Sequence, residues 1–428
     1  MKQLTVIGAG WAGLAAAVAA TQAGWHVTLF EASAEVGGRA RRLQQRFANQ
    51  PLDNGQHILI GAYHDTLALM RTVGLDPDAL LQRIPLDLRL PNGDGLDLPD
   101  WPMPFNLLAG LARAKGWTLA DKSRLVQAAW GWQRAKFECP PHWTVAQLCD
   151  EAHITPRVVR ELIEPLCLSA LNTALQESSA TVFLRVLQDA LLGGPASSDL
   201  LLPRVDLGAL MPDACVQWLE TQGAAIHLGQ RVTAEMLQAL HQQASPHHVT
   251  LLACTAWEAA RLTAHIAPRW SNTCAKLQHN AIATVYLQCH DMNFTGLERP
   301  MMALQSDAKA PAQFVFDRGQ LNQQQGLLAA VVSACSLGRD EVTEQVRTQV
   351  GQQLGLTHLS SLQTVVEKRA TLACTPLLNK PEPRVADGLW ACGDYLCGPY
   401  PSTLEGAIRS GQQVVTELSQ MAHGQGLG

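Results

Sequence analysis

The chain has 428 residues, 47% of them hydrophobic and 16% charged, with a formal net charge of −5. That is enough apolar sequence to bury a large core in one or two domains, and the acidic balance gives no electrostatic footprint for nucleic acid. Eleven cysteines without a Cys-x-x-Cys pair fit reduced thiols in a cytoplasmic protein, and the 14 histidines show no metal-ligand spacing.

The first forty-two residues carry the strongest pattern. An apolar strand (Leu4, Val6, Ile7) runs into Gly8-x-Gly10-x-x-Gly13, then an Ala-rich helix that stops near Gly24 and a second strand over 27–30. Gly8 permits a tight turn, Gly10 lets the backbone approach a pyrophosphate, and Gly13 lets helix and strand pack closely. The N–H groups around Trp11 and Ala12 form a helix start suited to phosphate. Glu31, followed by Ala32, stands eighteen residues after Gly13 and can accept from ribose hydroxyls. An acid there disfavours NADP. Residues 4–20 are nearly all apolar, but the glycines sit where a phosphate turn needs them, so no signal peptide is expected. No other run approaches the ~18–20 apolar residues of a spanning helix.

Gly37-Gly38-Arg39 follows the second strand. This resembles the extended fingerprint of FAD-dependent amine oxidases and carotenoid desaturases, in which the motif lies along the FAD pyrophosphate. The resemblance selects FAD. Arg41, Arg42 and Arg46 read as phosphate-facing or surface groups. Next comes Asp53-Asn54-Gly55-Gln56-His57, leading into an apolar strand that ends at Gly61. A similar segment passes beside the isoalloxazine ring in plant-type carotenoid desaturases. By that resemblance Asn54, Gly55, Gln56 and His57 lie near the flavin, with His57 a candidate proton donor; a satisfied hairpin histidine is the alternative.

Between Arg89 and Phe137 the character changes. Trp101, Phe105, Leu107, Leu108 and Leu111 mix with Arg113, Lys115 and Trp117, and Trp130, Trp132, Arg134, Lys136 and Phe137 follow on an expected helix. A helix in a membrane interface and a helical cap buried on its own domain fit this pattern equally. Leu-rich helices then pass through Glu164-Pro165-Leu166-Cys167-Leu168-Ser169-Ala170-Leu171-Asn172-Thr173 to Ser198-Asp199-Leu200-Leu201-Leu202-Pro203-Arg204. Such a lining would suit a long hydrocarbon, though an ordinary helical core reads alike. A helix begins after Asp206, and strands are expected over 225–228 and 249–254. In the resembling superfamily Val232 meets the adenine through its backbone. Strands over 282–287, 313–316 and 327–333, with a helix over 341–354, read as the sheet half of a substrate domain. The last residues, 423–428, read as frayed.

The third anchor is Gly388 to Tyr395, a strand ending in Gly393-Asp394, followed by Tyr400, Ser402, Thr403 and Leu404 at the start of a helix. In FAD enzymes of this kind the aspartate bonds the ribityl or pyrophosphate. The helix beginning near Ser402 points its N-terminus at the flavin, where its dipole favours negative charge.

Taken together these stretches resemble the squalene-associated FAD-dependent desaturase family, whose members are similar to hydroxysqualene dehydroxylases. The resemblance rests on GAGWAGLAAA, the Asp53–Tyr63 stretch, EPLCLSALNT, SDLLLPRVDL and the Gly-Asp ending. It implies an α/β fold: a Rossmann-type FAD-binding domain split in sequence (1–88, 204–272, 379–428), a helical, membrane-facing or capping region (89–203) and an α+β substrate-domain sheet (273–378). It implies reduction of hydroxysqualene to squalene, an external electron donor for FAD, and His57 and Tyr400 as proton-donor candidates. The location implied is cytoplasmic, with peripheral contact at the inner face of the membrane as an open reading. The rivals are a carotenoid desaturase running hydride the other way and a non-catalytic FAD-bound prenyl-lipid carrier. An amine oxidase fits less well, since Thr375 and Thr403 stand where aromatic side chains would flank an amine.

Overall fold

The computed structural model describes residues 2–101, 105–245, 247–396, 398, 400 and 402–424; residues 425–428, part of the end expected to be frayed, lie outside them. Strands Leu389–Ala391, His248–Leu252, Gln3–Ile7, His26–Phe30 and Ala225–His227 lie side by side and parallel, with Arg384–Ala386 antiparallel at one edge. The sheet therefore draws on three stretches separated by well over a hundred residues each. Leu4, Val6, Leu29 and Leu251 are almost wholly inaccessible, as strands covered on both faces should be.

The first helix, Trp11–Gln22, is apolar on every side as far as Ala20 because that part is almost wholly covered. On one side packs the C-terminal helix, Leu404–Gly424, whose Gly411 makes the approach possible. A Cβ at Gly411 would stand 2.3 Å from Ala12 O and 3.0 Å from Ala16 N. Gly411→Ala is therefore expected to cost ~1–3 kcal/mol through overpacking, read as a lower urea midpoint. An unchanged midpoint would mean the two helices can part without loss.

A second sheet, antiparallel throughout, has the order Met301–Ala303, Phe314–Asp317, Leu327–Val332, His279–Cys289, Leu359–Leu372. Its strands divide their side chains between two cores by simple alternation. Tyr286, Phe314, Phe316 and Ala329 face the helical region, while Val285, Leu287, Val315 and Leu328 face the helix Arg339–Leu354 through Val342, Val346 and Val350. The helical region comprises Phe105–Arg113, Leu119–Arg134, Val145–Glu151, Pro156–Val158, a π-helical turn Val159–Ile163, Glu164–Leu171 and Ala180–Leu192. Thr118 with Asp121 and Thr144 with Gln147 form capping boxes at two of these starts. No described helix is long and apolar enough to cross a membrane.

Some expectations shift. The helix after Leu119 stops at Arg134, and Lys136 and Phe137 lie beyond it with φ of 53° and 58°. Trp117 and Trp132 are buried, so only Trp101 and Trp130 of that set face outward. The C-terminal helix begins at Leu404 rather than at Ser402. The fourteen-residue strand Leu359–Leu372 gives no clear sequence signal, because its polar residues mask the alternation.

Candidate active site

The glycine turn is built as its spacing demands. Gly8 has φ of 114°, and a Cβ on it would meet Ala253 O at 2.7 Å. A Cβ on Gly13 would sit 2.0 Å from Gly8 O, so helix and turn are in backbone contact. Gly10 is different: only Gly38 Cα, at 3.9 Å, comes near its Cβ position. Gly37 N donates to Ala9 O at 2.8 Å, which lays the Gly37-Gly38-Arg39 segment beside the turn. Trp11 spends its indole N–H on Ala40 O (2.9 Å), so its side chain braces that segment while its backbone sits at the helix start. Gly10 caps this helix without a side-chain bond, and no acid stands in the first turn. These are the features of an anion site.

Glu31 closes the far end. Its carboxylate accepts from Ala9 N (2.7 Å) and Ser33 N (2.8 Å), and its carbonyl accepts from Gln230 N (2.8 Å). That last bond brings Ala32 and the buried Val232 to the same rim. Arg39 donates to Asp394 Oδ1 (2.6 Å) and to Ala370 O (2.7 Å), and Asn54 Nδ2 donates to Arg39 O (2.9 Å). Residues from the first and last stretches and from the second sheet thus meet at Arg39. Gly393, with φ of 154°, accepts the Tyr395 ring where a Cβ would be 2.8 Å from Cε1. Ser402, at φ of 59°, donates its N–H to Asp394 O (3.0 Å) and accepts from Leu372 N through Oγ (2.7 Å). Thr403 Oγ1 accepts from Gly406 N (2.9 Å), the bond of an N-cap, so Thr403 and Leu404 open the final helix. Glu405, 3% exposed, accepts from Asp65 N, Thr66 N and Thr66 Oγ1, capping the helix His64–Thr72 from across the molecule.

The Asp53–His57 loop packs on the second sheet. Gln56 N donates to Thr284 Oγ1 (3.4 Å), and Tyr286 OH donates to Asp53 O (2.9 Å). Beneath it Arg318, 0% exposed, meets Asp53 Oδ2 at 3.1 Å and donates to Gln56 Oε1 at 3.0 Å. Leu207 N donates to Asp53 Oδ1 (2.8 Å), which anchors the SDLLLPRVDL segment to this loop. EPLCLSALNT ends nearby: Asn172 donates to Thr371 Oγ1 (2.8 Å) and accepts from Ala334 N (2.5 Å), stapling the helices to the second sheet. The pairing of Asp53 with Arg318 and of Glu405 with Thr66 carries no signal in the sequence, since each joins residues far apart along the chain.

The two proton-donor candidates differ in chemistry. His57 Nδ1 lies 3.0 Å from Gly55 O, an acceptor only, so that nitrogen carries the proton and Nε2 is the acceptor. Burial lowers the His57 pKa, and Arg39 adds to the effect against the pull of Gly55 O. Both effects favour the neutral ring. Tyr400 keeps its phenol proton, its pKa raised by burial and by the bond to Asp189, and the guanidiniums of Arg185 and Arg409 lie 5.7 Å and 5.1 Å from its ring centre. Arg185 also donates to the phenol oxygen at 3.2 Å. Tyr400 shares a narrow cleft of about 20 Å³ with Gly393, Asp394, Gly406 and Ser410. A roomier surface groove of about 540 Å³ between the first and last helices, lined by Ala19, Gln22, Val415 and Ser419, lies away from these motifs. Arg42, one of the arginines read as phosphate-facing or surface, is instead paired with Glu35, Asp206 and Asp213.

The sequence pattern of the family described as flavin containing amine oxidoreductase matches residues 11–234, just over half of the chain. The chain belongs to that family. A hydroxysqualene dehydroxylase of Sinorhizobium fredii is 25% identical over 96% of this chain and 97% of its own length. One from Zymomonas mobilis is 24% identical over 96% and 98%. Among solved structures, a protein described as a putative protoporphyrinogen oxidase from Exiguobacterium superposes with a TM-score of 0.66 at 16% identity, covering 98% of this chain and 99% of that one. Cyclohexylamine oxidase from Brevibacterium oxydans gives 0.63 at 13% identity over 98% and 99%. These likenesses establish the fold, α/β with a Rossmann-type sheet split in sequence. This flavin amine oxidoreductase is an FAD-dependent oxidoreductase. The residues present fit that cofactor: an uncapped helix start, an open Gly10 and an acid ending the second strand suit its pyrophosphate and ribose.

Proposed function

We propose that the protein removes the allylic hydroxyl of hydroxysqualene reductively, giving squalene. The observation that carries this reading is the end-to-end match to the hydroxysqualene dehydroxylases, 97% of the Sinorhizobium protein and 98% of the Zymomonas one. It is supported by the way EPLCLSALNT and SDLLLPRVDL are fastened to the second sheet and to Asp53. FAD would be held by Gly8, Gly10, Trp11, Ala12 and Gly13 at the phosphates and by Glu31, Ala32 and Val232 at the adenosine. Gly37, Gly38, Arg39, Gly393 and Asp394 would hold its middle, with Asn54, Gly55, Gln56, His57, Ser402, Thr403 and Leu404 at the flavin. The domains on this reading are 1–88, 204–272 and 379–428 for FAD, 89–203 as the helical region and 273–378 as the substrate-domain sheet.

Bound FAD in its reduced form supplies a hydride, which an external electron donor must replenish. The chain's own residues handle the rest. The leaving hydroxyl would take a proton from the chain and depart as water, leaving the allylic carbon electron-deficient and ready for the hydride that the cofactor would supply. Protonation falls to Tyr400 rather than His57, whose Nε2 holds no proton. His57 and Gln56 orient and exclude water. The test uses anaerobically reduced protein, freed of excess reductant and mixed with hydroxysqualene in detergent. Flavin reoxidation matched by squalene is the expected result. Reduced flavin that stays reduced would sink the reading, and bleaching of oxidised enzyme by phytoene would support the desaturase instead.

A contact with the membrane surface accompanies this reading, because substrate and product are long hydrocarbons. Trp101, Phe105, Leu108, Leu119, Val126 and Trp130 are exposed within one thirty-residue stretch. Arg113 and Arg134 each sit 5.2 Å over the rings of Trp101 and Trp130. Apolar groups rimmed by cations suit an anionic lipid surface. Trp101→Ser combined with Leu119→Ser and Trp130→Ser is expected to weaken sedimentation with phosphatidylglycerol vesicles at least ~10-fold. A wild-type protein indifferent to such vesicles would dispose of the idea.

A further inference from the structure

Arg318 is the largest side chain that is wholly buried, and its surroundings leave it no freedom. It opens the short helix Arg318–Asn322, which Asp317 caps by accepting from Gly319 N (2.9 Å) and Gln320 N (3.2 Å). Its Nε donates to Gln324 Oε1 (2.9 Å), and Nη1 meets both Asp53 Oδ2 (3.1 Å) and Gln56 Oε1 (3.0 Å). A guanidinium has donors and no acceptor. It can face only the oxygen of the Gln56 amide, so the amide cannot turn over. Among the described residues the Gln56 Nε2 has one acceptor, His57 O, at a long 3.4 Å. At least one of its two N–H groups is thereby presented away from Arg318, on the open side of the loop.

We infer that Arg318 is a positioning residue that fixes Gln56 as a hydrogen-bond donor toward an acceptor oxygen of the bound flavin. This rests on the proposed placement of residues 54–57 at the flavin. A free amide would present its carbonyl as readily as its N–H and would have to be ordered on binding. Held by Arg318, it is ordered beforehand, and the gain appears in cofactor affinity and in the stability of the electron-rich reduced ring.

The experiment measures the FAD dissociation constant of the apoprotein and the midpoint potential of the holoprotein for five variants. Gln56→Ala removes the donor, and Gln56→Glu keeps the bond to Arg318 but offers no N–H. Arg318→Met with Asp53→Leu releases the amide while leaving no unpaired charge, and Arg318→Lys keeps the charge but loses the fork that holds Asp53 and Gln56 together. Both Gln56 variants should weaken FAD binding about tenfold, the effect of one lost hydrogen bond, and lower the potential. The double variant and Arg318→Lys should reproduce the Gln56→Ala shift, and adding Gln56→Ala to the double should change nothing further. If Gln56 variants leave both readouts at wild type, the placement of the loop beside the flavin fails. If they shift while the Arg318 variants do not, or if the effects add, the positioning role fails. Should the double variant not fold, Arg318→Lys alone decides the second question.

Discussion

Arg318→Met alone is expected to lower folding stability by ~3–5 kcal/mol, because it strands a buried carboxylate. Asp53 and Arg318 have side-chain exposures of only 3% and 1%, so no solvent reaches the charge left behind. Adding Asp53→Leu should restore most of the loss, since a buried pair replaced by apolar groups of similar size is often neutral. The pair also leaves a mark on pH dependence. Burial pushes Asp53 up to about 6 against the pull of Arg318 and of Leu207 N–H. Between the ordinary carboxylate range and that value, the native state holds a proton the unfolded chain has lost. This group's contribution to stability is therefore full below that window and falls as pH rises through it. Urea midpoints across pH 4–8 for the wild type and the double variant test both points: the double should lose this component of the slope. Equal destabilisation by the single and double variants would show that packing, not charge, holds Arg318.

Tyr400→Phe is expected to slow hydroxysqualene turnover by ~10²–10⁴-fold, the usual contribution of a placed general acid. The substitution removes one hydroxyl and leaves the ring between Arg185 and Arg409. FAD content and melting temperature should then stay near wild type, which separates chemistry from folding. Asp189 bonds the phenol and opposes the pull of Arg185, so the hydroxyl gives up its proton only as the leaving oxygen takes it. His57→Ala, in contrast, should alter the flavin spectrum and KM more than the proton-transfer step, because the imidazole proton is committed to Gly55 O. A Tyr400→Phe variant within threefold of wild type would remove Tyr400 from the mechanism.

The phosphate turn was legible because its information is local. Gly8, Gly10 and Gly13 are set by spacing within one turn, and each stands where that spacing predicts. The Gly-Asp ending was legible for the same reason, and the split sheet followed from finding its pieces at both chain ends. Long-range pairing was not. Arg318 follows Phe314-Val315-Phe316-Asp317, a run that reads as an apolar strand, and nothing in it names Asp53 as its partner. Helix boundaries also drifted: Lys136 and Phe137 continue the composition of their helix but take left-handed φ values. Trp117 and Trp130 look alike in sequence, yet the first donates its indole N–H to Glu161 at 2.8 Å and is buried, while the second is exposed. Composition tells which residues have an apolar body, not which way the helix is turned.

The seating of Gly411 on Ala12 and Ala16 has a consequence for synthesis. The surface of the last helix that covers the first is translated nearly four hundred residues after it. Until then a largely apolar helix and the strands beside it must wait exposed, or be shielded by a chaperone. Ribosomes stalled or chains cut short before the last helix should yield aggregates rather than a smaller working enzyme.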